Sequence, residues 1–185
     1  MYHAVNFVEK NFRLKHDIIV TLQPTNPLIT SDDLDKAIEI LESALSKDPN
    51  NEDANYWIAI AYDAKGNMEE AEKHLLKVIN LNPKKYEAYN SLGYFYAERG
   101  IKLEKAVDYI ITALKAEPEN GAYRDSLGWA YFKMGKIDDA INELKKAIEF
   151  IPDSAEAHDH LGDVYLKKGE VDKAIEYWQK ALSIE

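Results

Sequence analysis

No cysteine stands anywhere in the 185 residues. That excludes disulfides, thiolate metal sites and a cysteine nucleophile in one step. No run approaches the ~18 consecutive apolar residues of a membrane-spanning helix, and Met1 to Val20 carries Glu9, Lys10, Arg13, Lys15 and Asp17 where a secretory leader needs an apolar stretch. As written, the sequence predicts a cytoplasmic chain with no direct membrane insertion. Positive charge is also scarce: Lys plus Arg number 23 against 33 Asp plus Glu, a net charge of −10. Residues 1–31 hold three basic and two acidic groups, net +1, so the remainder carries −10 − 1 = −11. A phosphate backbone would be repelled by that field, and Lys and Glu alternate with no basic stripe to oppose it, which argues against a nucleic-acid partner. The eight glycines form no phosphate-cradling loop.

What the chain does have is a period. Ala37-Ala44-Pro49, Ala71-Val78-Pro83, Ala106-Ala113-Pro118, Ala140-Ala147-Pro152 and Ala174-Ala181 recur every 34 or 35 residues. Ahead of the last four frames lie Ile58-Ala59-x-x-Tyr62, Leu92-Gly93-x-x-Tyr96, Leu127-Gly128-x-x-Tyr131 and Leu161-Gly162-x-x-Tyr165, each followed four residues later by Gly66, Gly100, Gly135 or Gly169. A helix, a glycine turn, a second helix and a helix-ending proline make one helical hairpin, and a fixed period of this length means that hairpins stack.

With these motifs the chain resembles the tetratricopeptide-repeat family over about residues 32–185. The family's Trp slot is filled here by Asn55, Tyr89, Arg124 and His158. The resemblance implies an all-α fold, a right-handed α-solenoid of stacked antiparallel helix pairs. The expected organisation is an N-terminal segment and linker over 1–31, a half repeat over 32–51 and full units over 52–85, 86–120, 121–154 and 155–185. The second full unit carries one extra residue within Ile101-Lys102-Leu103, which should lengthen only a turn. In the N-terminal segment, Val5, Val8, Phe12, Ile19 and Leu22 share a helical face, which favours one long helix ending before Pro24, with a strand over Ile18-Ile19-Val20-Thr21 as the alternative. Several segments also resemble bacterial multi-repeat scaffold proteins, some of them envelope lipoproteins. Such a lipoprotein needs an N-terminal cysteine, so a periplasmic or envelope location would require that the chain is a trimmed piece.

Catalytic readings fail on geometry. In His158-Asp159-His160 the two imidazoles point about 200° apart at ~100° per residue, whereas metal-binding pairs on a helix need spacing such as i, i+4. His158 is read as a repeat-slot residue and His160 as a surface neighbour. Ser91 and Ser126 lack the sharp turn of a nucleophile elbow, and no two carboxylates form a recognisable acid/base pair. No catalytic residue, metal or cofactor is expected.

The opposite face of each first helix is richer. At 3.6 residues per turn, Asp125, Trp129 and Phe132 cluster about 130° from the Leu127-Gly128-Tyr131 stripe. Unit by unit this face holds Asp53, Tyr56, Ile60 and Asp63; Glu87, Asn90, Tyr94 and Ala97; Ala122, Asp125, Trp129 and Phe132; and Glu156, Asp159, Asp163 and Leu166. The family resemblance implies that it lines a concave groove for peptides or partner helices. The candidate groove residues are Tyr56, Ile60, Asn90, Tyr94, Asp125, Trp129, Phe132, Asp159 and Asp163, aromatic anchors with an acidic rim of the kind that binding hot spots use. The expected partner is a protein or peptide, apolar with basic flanks. The family's chaperone-type carboxylate clamp does not fit, because its Asn slots hold Ile60, Tyr94 and Trp129. The competing reading is a self-assembling module, a homo-oligomer joined through the N-terminal segment or through Ile175, Trp178 and Leu182 of the last helix, after which no capping helix follows.

Overall fold

The computed structural model describes residues 30–184, so the expectation for the N-terminal segment lies outside the described residues apart from Thr30 and Ser31. Nine helices and no strand occur among the described residues: α1 (Ser31–Lys47), α2 (Glu52–Ala64), α3 (Met68–Leu81), α4 (Tyr86–Glu98), α5 (Leu103–Ala116), α6 (Gly121–Lys133), α7 (Ile137–Phe150), α8 (Ala155–Lys168) and α9 (Val171–Ile184). The chain divides into two compact units, one ending at Lys85 and the other beginning at Tyr86.

Local chemistry sets the helix ends. Thr30 caps α1 in a capping box: its Oγ1 accepts from the Asp33 N–H at 3.2 Å, and Asp33 Oδ2 accepts from the Thr30 N–H at 3.1 Å. Asn51, Asn67, Asn120 and Ser154 cap α2, α3, α6 and α8 in the same way, each side chain accepting a backbone N–H three residues on. At the other ends, Asp48, Asn82, Glu117 and Ile151 leave the helical region because the ring of the following proline excludes it. The extra residue of the second full unit lies in the turn before α5, where Lys102 takes φ 47°, the single left-handed non-glycine among the described residues. That conformation costs a side-chain-bearing residue about 1–2 kcal/mol. The Lys102 ammonium lies over the Tyr96 ring, 4.7 Å from its centroid, which offsets part of the cost.

In the first unit, α1 and α3 both pack on α2. Ile38, Leu41, Ala54, Ile58 and Ala61 form its core, flanked by Leu45, Trp57 and Tyr62. The Tyr62 hydroxyl donates to Glu42 at 2.7 Å, and Lys65 pairs with Asp35, tying α2 back to α1. In the second unit the hairpins α4/α5, α6/α7 and α8/α9 stack so that α6 touches both α4 and α8. Close approach within a hairpin depends on glycine. A Cβ on Gly128 would stand 2.6 Å from Leu144 Cγ, and one on Gly162 2.5 Å from the Trp178 ring.

Three of the four Trp-slot residues, all but Tyr89, have a common structural role. Asn55 Nδ2 donates to the Pro49 carbonyl at 3.0 Å, Arg124 Nη2 to the Pro118 carbonyl at 2.8 Å, and His158 Nε2 meets the Pro152 carbonyl at 3.0 Å. Each side chain thus reaches six residues back to a proline carbonyl just beyond the preceding helix and ties that turn to the next helix. Asn55 Oδ1 also meets His74 Nδ1 at 2.9 Å, and burial holds that imidazole below its ordinary pKa, so it stays neutral as a hydrogen-bonding partner.

Candidate functional site

Two of the sequence-derived face residues, Tyr56 and Ile60, lie half-buried on α2 in the first unit. The Tyr56 ring meets Trp57 edge-on with centroids 5.3 Å apart, and the Lys85 ammonium lies over it at 5.8 Å while pairing with Asp53 at 3.1 Å. Basic charge of the chain itself therefore already occupies this part of the face.

The second unit brings most of the other candidates together on α4, α6 and α8. Trp129 is 7% exposed, stacked on His160 with centroids 4.1 Å apart and planes at 16°, and beside Phe132 at 5.0 Å. Its indole N–H donates to Glu98 at 2.6 Å, and the Lys133 ammonium lies over the ring at 4.8 Å. The ring is therefore a support for the face, on which Tyr94 and Phe132 are half-buried. Asn90 sits one turn before Tyr94, with its buried Oδ1 lacking a hydrogen-bond partner. Asp159 is exposed. Asp163 accepts the Trp178 indole N–H at 3.2 Å, so both side chains are engaged in holding α9 on α8. Of the residues assigned to self-association, Ile175 and Leu182 stay exposed, whereas Trp178 closes over Gly162.

His160 corrects the sequence expectation of a surface residue: it is 7% exposed, under Trp129, with Nδ1 3.1 Å from both carboxylate oxygens of Asp125. The face of α8 that carries His160 is covered by α6, a packing that the wheel of α8 alone does not contain. Burial on its own would lower the imidazole pKa, but the Asp125 charge and hydrogen bond outweigh it and the net shift is upward. On the same helix Glu156 accepts the Tyr94 hydroxyl at 3.0 Å. Although Glu156 is exposed as a residue, crowding of its carboxyl away from water, then the neighbouring Asp125, push it up, and burial, then Glu156, push the Tyr94 phenol far up. The site thus gathers Tyr94 and Glu98 from α4, Asp125, Trp129 and Phe132 from α6, and Glu156 and His160 from α8. Glu98 and His160 were not among the sequence-derived face residues. Glu156 and His160 do have the i, i+4 spacing of a helix pair, the signal that points to them once His160 is paired with Glu156 instead of His158.

Three carboxylates, one imidazole and several rings make a group that can hold cationic or apolar partners.

Comparison with known proteins places the chain among repeat proteins. A tetratricopeptide-repeat family model matches residues 28–93, a TPR-repeat model residues 128–169, and a second tetratricopeptide-repeat model residues 155–185. The TPR repeat-containing protein PA4667 of Pseudomonas aeruginosa is 30% identical over 113 residues, 61% of this chain, which spans only 19% of that protein's length. The photosystem I assembly protein Ycf3 of Rippkaea orientalis is 25% identical over 156 residues, covering 67% of this chain and 88% of Ycf3. The crystal structure of MamA superposes with a TM-score of 0.65 and 29% identity, over 83% of this chain and 89% of that one.

Proposed function

We propose, from the premise that the chain belongs to the tetratricopeptide-repeat family, that this protein-interaction scaffold is non-enzymatic and holds an extended peptide or a helix against the exposed faces of its first helices. The observation that carries this is the α4/α6/α8 face, where the half-open rings of Tyr94 and Phe132 lie beside the exposed carboxylates Glu98, Glu156 and Asp159. Rings with a polar rim anchor partners, and surplus negative charge selects those with basic flanks. The relationship to Ycf3, an assembly protein, supports a scaffold role.

Peptides selected from a displayed library against the full chain test this reading. They should combine apolar residues with Lys or Arg. Tyr94→Ala and Phe132→Ala should each weaken binding by about 2 kcal/mol, roughly thirtyfold, and association should slow as salt shortens the reach of the acidic rim to about 8 Å at physiological ionic strength. Ligands indifferent to both substitutions would place binding elsewhere.

A second reading, self-assembly, has its own observation. Ile175 at 45% and Leu182 at 72% exposed project from one side of α9, in line with exposed Val171. On this reading the chain forms dimers or larger species at high micromolar concentration in light scattering, and Ile175→Glu with Leu182→Glu restores the monomer. A wild-type chain that stays monomeric leaves the peptide-binding reading alone.

A further inference from the structure

Three donor groups on the second unit converge in a way that peptide binding does not require. Glu156 and His160 are four residues apart on α8, about 40° apart around its axis and one turn apart along it. Asp125 reaches them from α6. One ligand atom from each of the three lies within 4.8 Å of the others. His160 Nδ1 stands 3.1 Å from both Oδ1 and Oδ2 of Asp125. A single N–H hydrogen bond would ordinarily favour one oxygen. The same spacing matches the edge between neighbouring ligands of a six-coordinate cation, since bonds of about 2.1–2.2 Å at right angles put their donor atoms about 3.0–3.1 Å apart.

The surroundings of the three groups are those of a supported site. Asp125 and His160 are both more than nine-tenths buried, while Glu156 is exposed and leaves a way in from solvent. The Tyr94 hydroxyl holds Glu156 at 3.0 Å, and the Trp129 ring, stacked at 4.1 Å, holds the plane of the imidazole. Outer partners of this kind fix the rotamers of metal ligands. Once His160 has given up its Nδ1 proton, two carboxylates and one imidazole carry a local charge of about −2, which a divalent ion neutralises.

We propose that Asp125, Glu156 and His160 form a binding site for a divalent transition cation of the Zn²⁺, Co²⁺ or Mn²⁺ kind. The mixed nitrogen and oxygen donor set suits these ions, whereas Ca²⁺ and Mg²⁺ take oxygen donors alone. On binding, the His160 imidazolium gives up the Nδ1 proton that it shares with Asp125 and keeps its Nε2–H, the freed Nδ1 lone pair goes to the cation, and the released proton passes to the buffer. Three protein ligands leave coordination positions for water, or for a carboxylate or imidazole of a partner docked on this face. This goes beyond the peptide-binding reading and stands without it.

The test is a Co²⁺ titration of the full chain after chelator treatment and dialysis, followed by visible absorption, with Zn²⁺ calorimetry in two buffers of different ionisation enthalpy. The expected result is one saturable equivalent with a visible d–d band, and a buffer-dependent heat that reports proton release. Glu156→Gln alters an exposed position and should keep the helical circular dichroism of wild type, yet it should weaken binding at least tenfold. His160→Gln should abolish the band. Absence of a saturable band in the wild-type chain, or undiminished affinity in Glu156→Gln, would overturn the proposal and leave Asp125 and His160 as a buried ion pair.

Discussion

Trp129→Ala is expected to destabilise the second unit by about 3–5 kcal/mol, the range for removing a large buried aromatic side chain. The indole is 7% exposed and fills the space between Phe132 and His160. Truncation opens a cavity beneath the face and strips the imidazole of its stacking partner. Glu98 also loses the N–H that it accepts at 2.6 Å, but its exposed carboxylate regains water, so that part of the loss is small. Trp129→Phe should restore most of the packing without the hydrogen bond and fall between the two. Urea unfolding of the three chains measures the series, and an alanine variant with an unchanged midpoint would show that the ring lies free on the face. Loss of ligand binding in Trp129→Ala is therefore no evidence for direct contact, which is why Tyr94 and Phe132 are the residues on which the binding reading is tested.

Gly93→Val should cost about 3 kcal/mol or more. A Cβ at this position of α4 would lie 2.6 Å from Ile110 Cγ1 and 2.8 Å from the Ala106 carbonyl oxygen of α5. Ile110 is fully buried, and the carbonyl is backbone, so neither yields without the two helices moving apart. Overpacking of a tight interior typically costs about 1–3 kcal/mol, and valine adds two methyl groups beyond the first clash. The helix-propensity gain over glycine, a few tenths of a kcal/mol, does not offset this. Gly135→Ala provides the contrast: nothing lies within 4 Å of its Cβ, but φ is +77°. Its cost is the left-handed conformation alone, about 1–2 kcal/mol. Thermal unfolding of both variants checks the order, and equal effects would mean that α4 and α5 are not in close contact at Gly93.

The sequence by itself determined the repeat. Alternating Leu-Gly-x-x-Tyr and Ala…Ala…Pro motifs set helix length, turn position and the core stripe, because each acts within one hairpin: proline ends a helix, glycine turns it, and small residues let the paired helix approach. The face shared by Tyr94, Asp125 and Trp129 was legible for the same reason, since a helical wheel fixes the direction in which a side chain leaves its own axis. What only the tertiary structure decided was depth and convergence. A wheel carries no information on how closely the next hairpin lies, so it could not separate half-open Tyr94 and Phe132 from buried Trp129, nor foresee that α6 covers His160. It likewise could not bring Asp125 to His160 across 35 residues, or turn Trp178 onto Gly162 and Asp163 while Ile175 and Leu182 stay exposed. Those outcomes depend on the stacking of neighbouring hairpins, which sums many weak contacts between residues distant in the chain and leaves no local pattern in the sequence.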